Sequence, residues 1–325
     1  MKKNKKGFIT LTVVFEAMSL NRDEGMGNLQ TLHLLTRGNG EVYSYMSRQA
    51  LTYAVRKFLI ESGEWEQTPV GKSGNVTQYE ADIVKYPEVD LFGYMVTKQK
   101  SNTQAGSSTT RPAPVTFTHA ISLEPYNGDL AFYANIEMNR RYRENYPNDD
   151  SNPNPYNRQE HKSLYKYSVV IDLERIGKDD ENSKIALEDE EKVKRICQLL
   201  EAIKNLHHQI MAYREPLYPL FIAAAHLKYG SPIFHNYVEL KYNKEKKAVI
   251  NGELFENGLE HAKKIAKNGN KRVIWGMLKG AGALHLDIEG VETSSDGKPI
   301  DVIEKVKNWV CEIYEVNSSE CKDGQ

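Results

Sequence analysis

The stretch Tyr43-Ser44-Tyr45-Met46-Ser47-Arg48-Gln49-Ala50-Leu51-Thr52-Tyr53-Ala54-Val55-Arg56 decides how this 325-residue chain is read. Ser47 is suited to cap a helix, because its hydroxyl can accept from the open N–H groups of a first turn. Behind it Leu51, Ala54, Val55, Phe58 and Leu59 recur at helical spacing and predict one face turned to a core. Arg48, Thr52 and Arg56 fall four residues apart on another face, and Gly63 ends the helix. The strong elements on either side are strands. Phe8–Phe15 (FITLTVVF) is β-branched and aromatic, as buried strands are. Val115–Leu123 (VTFTHAISL) and Leu164–Leu173 (LYKYSVVIDL) read the same way. Val193–Met211 predicts a second amphipathic helix, with Ile196, Leu199, Leu200, Ile203, Leu206 and Ile210 on its apolar face and Pro216 to stop it. Leu217–Leu227 predicts a fourth strand, although its alanines leave a short helix open.

The order strand, helix, strand, strand, helix, strand predicts an α+β fold with a modified ferredoxin-like or RNA-recognition-motif core. The chain is read as one such domain over residues 1–325. It carries insertions near 64–114 and 126–163 and a C-terminal extension near 243–325. Residues 64–114 hold a compact aromatic turn at Pro87–Gly93 and then Lys98–Pro114, whose Ser, Thr, Gln and Gly cannot bury a core and predict a loop. Tyr126–Lys162, with Arg140-Arg141-Tyr142-Arg143 and a Pro/Asn/Asp-rich stretch, predicts an arm projecting from the sheet. Further on, Tyr237–Tyr242 predicts a strand, and Glu253–Lys267 and Val302–Tyr314 predict helices.

Composition bounds the function classes. Hydrophobic residues make up 40% and charged residues 27%, values of a soluble globular chain. Net charge is -1, so any nucleic-acid surface must be a local basic stripe, as Lys98–Arg111 and Arg140–Lys166 allow. Cys197, Cys311 and Cys321 are too scattered for a disulfide framework or a Cys-rich zinc site. The basic N-terminus leads into a threonine-alternating run that reaches Glu16, unlike a signal peptide. No apolar stretch reaches the ~20 residues of a membrane span. A cytoplasmic protein with no membrane partner is expected. No Walker loop, nucleophile elbow or Cys-His pairing appears. His207 and His208 are adjacent, not at the i, i+4 spacing that puts two metal ligands on one helix face.

Several stretches, in their order, resemble a known family. They are Gly27-Asn28-Leu29, Tyr45–Leu51 through Arg56, Pro87–Gly93 (PEVDLFG), Arg111–Pro125 (RPAPVTFTHAISLEP) and Tyr229–Phe234 (YGSPIF). With them the chain resembles the backbone subunit of type I CRISPR Cascade complexes, the DevR-type branch of Cas family seven, type I-B-like. The resemblance implies a palm-shaped core with finger-like and thumb-like insertions. It implies several copies lined up along one CRISPR RNA, the thumb of one reaching over its neighbour. The subunit would be structural rather than catalytic, without a cofactor. Its partners would be CRISPR RNA, target DNA through guide pairing, other copies of itself and other Cascade subunits. The chain departs from the wider superfamily at Arg48, where relatives tend to have glycine. Gly276–Gly282 loosely matches glycine-rich loops that lie against RNA.

The candidate RNA-binding residues are Asn28, Ser47, Arg48, Gln49, Arg56, Lys98, Arg111, His119, Arg140 and Arg141. A helix N-terminus offers unpaired N–H groups and a positive dipole end to phosphate, and Arg48 adds a bidentate fork. The alternative is a plain cap with arginines solvating a helix face. His119 alternates with Phe117 and Ile121, and is expected either on the buried face or in an RNA groove. Arg111 stands where a backbone could pass, or is a solvated loop arginine. Arg140, Arg141 and Arg143, interleaved with Tyr142 and Tyr146, fit RNA, a neighbouring subunit or a basic surface. Two other functions stay open: a metal-dependent endoribonuclease using Asp23, with Asp90 the less apt acid, and a monomeric RNA-binding protein.

Overall fold

A computed structural model describes residues 5–73, 75–98, 107–179, 185–267, 269–282 and 286–317. Its first strand, β1 (Phe8–Met18), shows why two layers of cover are needed. Ile9, Leu11, Val13 and Phe15 join one buried cluster, while Val14 joins another on the opposite face beside buried Thr10 and Thr12. A strand buried on both faces must be sandwiched.

The main sheet consists of β1, β2 (Leu34–Thr36), β3 (Val42–Met46), β4 (Val115–Phe117), β5 (Ala120–Ser122), β6 (Lys162–Asp172), β7 (Phe221–Leu227) and β8 (Val273–Met277). The order is β8-β7-β1-β6-β5-β3-β2, with β4 also on β6, and every pair is antiparallel. The four strands expected from sequence thus lie side by side as fourth, first, third, second. Together with the helices this is an α+β fold.

Six α-helices are described: α1 (Arg48–Glu61), α2 (Pro87–Phe92), α3 (Ile136–Asn145), α4 (Asp189–Asn205), α5 (Gly252–Ile265) and α6 (Pro299–Tyr314). α1 lays Leu51, Val55 and Leu59 on the first face, with Ile196, Leu200 and Ile203 of α4 and Val302, Val306 and Val310 of α6. Each such side chain, fully buried, stabilises the fold by about 1.5–3 kcal/mol. α5 covers the other face with Phe255, Leu259 and Ala262 against Phe221, Ala223 and Trp275. The C-terminal region therefore supplies β8 and α6 to the main sheet and its core. No helix among the described residues is long and apolar enough to cross a membrane.

Several expectations are corrected. Pro87–Gly93 is not a turn but the short helix α2, begun by Pro87 and closed by Gly93 at φ +74°. The helix predicted to Met211 stops at Asn205; His207–Ile210 pairs instead with Tyr213–Pro216 as a hairpin, and Leu217 N–H donates to Leu206 C=O at 2.8 Å. Leu206 and Ile210, four residues apart, fit either period over so short a run, and the hairpin's pairing decides. Val115–Leu123 is not one continuous strand. Phe117 pairs with Val169 but Ile121 with Lys166, so one extra residue sits between them on this strand. That bulge at Thr118–His119 turns His119 out to solvent while Phe117 and Ala120 stay buried. The Lys98–Pro114 loop begins and ends in a hairpin, Tyr94–Lys98 with Ser107–Arg111, and residues 99–106 lie outside the described residues. The glycine-rich stretch does not open toward a ligand at Gly276. A Cβ there would stand 2.6 Å from Gly297 O, so the glycine serves close packing of β8 against the α6 entrance.

Candidate nucleic-acid interface

The α1 entrance is assembled from three segments. Ser47 caps the helix, its hydroxyl accepting from Ala50 N–H at 3.2 Å. Asn21 Oδ1 accepts from Ser47 N–H at 3.0 Å, and His119 Nδ1 accepts from Arg48 N–H at 3.0 Å. The expected backbone cradle for phosphate is therefore largely occupied by the protein's own side chains. What the entrance presents to solvent is the exposed side chains of Arg48 and Gln49. The Arg48 guanidinium has no partner among the described residues.

Beside it runs a row of rings. His33 meets Tyr45 edge-on at 5.4 Å between centroids, and Tyr45 meets His119 edge-on at 5.5 Å. Because Nδ1 of His119 accepts, the proton of the neutral ring sits on Nε2. Tyr43, two residues along the same face of β3, carries the Arg37 guanidinium 4.1 Å above its ring. His33, Tyr45 and Arg37 were missed in the sequence because they come from a short edge hairpin with no helical or long strand periodicity. Asn28 is exposed in the loop ahead of them, where its C=O accepts from Asn157 N–H at 2.8 Å.

Two expected residues lie elsewhere. Arg56 points away from the entrance. It pairs with Glu88 at 3.1 Å, reaches the Tyr79 hydroxyl at 3.2 Å and lies 5.7 Å from the Phe92 ring, so it ties α1 to α2. Arg111 is neither a solvated loop arginine nor placed for RNA. It is 4% exposed, paired with Asp90 at 2.7 Å, and donates to the carbonyls of Val89, Asp90, Arg175 and Lys178. Asp90 in turn pairs with Arg195 of α4 at 2.9 Å and accepts from Gly177 N–H at 2.9 Å. Burial pushes the Asp90 carboxyl up even with two guanidiniums beside it. Lys98 closes its strand, and its side chain lies outside the described residues.

The arm is a three-stranded patch, Leu130–Tyr133, Tyr156–Gln159 and Leu29–Gln30, from which α3 projects. α3 has no buried residue. Arg140 is clasped by Glu137 at 2.7 Å and Glu144 at 3.1 Å, Arg143 reaches Ser151, and Arg141 is exposed. Leu130, Phe132, Ile136 and Met138 are each more than 60% exposed, too much apolar surface for a segment meant to meet only water. At the arm's root the guanidinium of Arg158 sits among Tyr133 (4.5 Å), Tyr156 (5.6 Å) and Tyr213 (5.5 Å), which seats the arm against the His207–Pro216 hairpin.

The acidic candidates have little room for metal. Asp90 is enclosed by arginines. Asp23 is exposed, its carboxylate accepting from Glu24 N–H at 2.9 Å with His33 3.9 Å away, and no cluster of three or more His, Cys, Asp or Glu side chains that could hold a metal occurs among the described residues. His207 packs on Phe58 at 5.5 Å; His208 is half-buried, and burial holds its imidazole down to about 4.

Comparison with known proteins bears on this geometry. The profile of the family described as CRISPR-associated negative auto-regulator DevR/Csa2 matches residues 9–247. The CRISPR-associated protein Cas7/Cst2/DevR of Myxococcus xanthus (strain DK1622) is 26% identical over 174 residues, 48% of this chain and 54% of that protein. The chain thus spans about half the length of this curated relative. A chain of a solved CRISPR RNA-guided surveillance complex superposes with TM-score 0.51 at 14% identity, over 93% of this chain and 98% of that one. A chain of such a complex in a pre-nicking state gives 0.53 at 12%, over 93% and 100%. These two likenesses are of fold.

Proposed function

The chain belongs to the DevR/Csa2 family of CRISPR-associated proteins, and on that premise we propose that it is a crRNA-binding backbone subunit of a type I CRISPR Cascade effector. Several copies line one guide, and the guide pairs with target DNA for antiviral defence. The observation that carries this reading is the α1 entrance: an unpaired Arg48 and an exposed Gln49 stand beside the ring row, on a chain whose family match runs through all of these residues. Such a surface suits single-stranded nucleic acid held by its backbone, with sequence left to base pairing. The central strands in fourth-first-third-second order support a modified ferredoxin-like core in one domain, with the arm and the 64–114 hairpins as its finger-like and thumb-like insertions. Of the sequence-derived contacts, Asn28, Ser47, Arg48, Gln49, His119 and the arm residues Arg140 and Arg141 remain in the proposal. Arg56 and Arg111 become framework residues.

The subunit acts without catalysis in this reading. The enclosure of Asp90 and the lone His33 beside Asp23 favour it over the endoribonuclease. The test is to express the full chain with a guide RNA and its companion subunits, then sequence the retained RNA after nuclease treatment. Guide-length RNA protected at regular intervals is expected. Equal retention of duplex DNA, or Mg-dependent cutting of paired RNA abolished by Asp23→Ala, would overturn the reading.

A further inference from the structure

Resting on the reading that the α1 entrance meets RNA, we propose that the ring row His33–Tyr45–His119 recognises the ribose 2′-hydroxyl and so makes the chain prefer RNA to single-stranded DNA of the same sequence. Three observations converge. The rings come from separate segments yet meet edge-on at 5.4 and 5.5 Å, forming one continuous row next to Arg48. Their polar atoms belong to a hydroxyl and two imidazoles rather than to ammonium or guanidinium groups. His119, exposed, is fixed by the α1 backbone with Nδ1 as acceptor, so Nε2–H is a donor of set position. The Tyr45 hydroxyl makes no hydrogen bond among the described residues, although the residue is only half exposed.

Phosphate is best met by cations, which this entrance already supplies in Arg48. A row of hydroxyl and imidazole groups with ring edges suits the sugar instead. A 2′-hydroxyl both donates and accepts, and is the group by which a protein tells RNA from DNA. Reading bases there would conflict with holding many guide sequences. Reading the ribose carries no such conflict, because every nucleotide of an RNA has the same hydroxyl.

The test measures the affinity of the full chain for one mixed-sequence single strand as RNA, as DNA and as 2′-fluoro RNA, which keeps the sugar pucker of RNA but cannot donate. Two variants remove single groups. Tyr45→Phe deletes the hydroxyl and keeps the ring. His119→Asn keeps an acceptor where Nδ1 stands, so the Arg48 N–H stays paired, but lacks the Nε2 donor. Wild type should prefer RNA, and each variant should lower the RNA-to-DNA ratio by roughly three- to tenfold, the effect of one net hydrogen bond. Melting temperature should hold, and DNA affinity should fall less than RNA affinity. A ratio unchanged in the double variant, or 2′-fluoro RNA bound as tightly as RNA, would overturn the proposal. Wild type binding RNA and DNA equally would overturn this inference alone, whereas wild type binding neither would overturn the RNA reading and this inference with it.

Discussion

Replacing Arg111 by alanine separates the two roles that a sequence allows this residue. The structure places its guanidinium against Asp90 at 2.7 Å, with four backbone carbonyls as further acceptors and 4% of the residue exposed. Removal strips the fully buried Asp90 carboxylate of one of its two guanidiniums, leaving it Arg195 and Gly177 N–H, and the carbonyls lose buried donors. Breaking a buried ion pair from one side costs about 3–5 kcal/mol. Unfolding entropy near the midpoint is roughly 2.1 cal/mol/K per residue, about 0.7 kcal/mol/K for 325 residues. The melting temperature of Arg111→Ala should therefore fall by about 4–7 °C. Differential scanning calorimetry at neutral pH reads this, with Arg111→Met as a control that keeps the alkyl stem packed. RNA affinity measured well below the new midpoint should match wild type. A melting shift under about 1 °C together with lost RNA binding would refute the reasoning and return Arg111 to the nucleic-acid surface.

Other predictions follow from the same geometry. Arg48→Ala should leave stability within about 0.5 kcal/mol. It should also shrink the slope of log affinity against log salt by about 0.7, the value of one phosphate contact on a single strand. Tyr133 and Tyr156 are a paired position with rings stacked at 5.3 Å, so residues 134–155 can be replaced by an Asn-Gly turn. That variant should melt with wild type, since α3 buries nothing, yet fail to form multimers when sedimented with guide RNA. Burial holds His226 and His235 down to about 4, as it does His208. The unfolded chain takes up these protons near pH 6.5 while the folded chain resists them. Stability should be full above about pH 6.5 and decline as pH falls toward about 4, and His226→Gln should flatten the decline in melting temperature measured across that range.

The parts legible in sequence are those where one local rule decides. The buried strand Phe8–Phe15, the Ser47 cap and the apolar stripe of α1 each follow from spacing or from a single side chain, and each is present. The expected strand over Val115–Leu123 was half right, because a bulge is one residue of excess that hydrophobic alternation cannot register. Arg111 reads identically in sequence whether it faces solvent or a buried Asp90. The difference lies in Asp90 and Arg195, which only the fold brings together. The ring row was illegible for the same reason, since His33, Tyr45 and His119 belong to different segments and become neighbours only when β3 pairs with β2 and β5. The helix to Met211 was overextended because Leu206 and Ile210 satisfy a helical period that the hairpin overrides.

The central claim is that copies of this chain assemble along one guide. The most direct measurement is the native mass of the particle formed when the chain is produced with a CRISPR RNA and its companion subunits, with the bound RNA sequenced. The account predicts a mass of several protomers on a single guide-length RNA, and a return to protomers when the RNA is digested. A monomer that stays free of RNA in the presence of those subunits would contradict it.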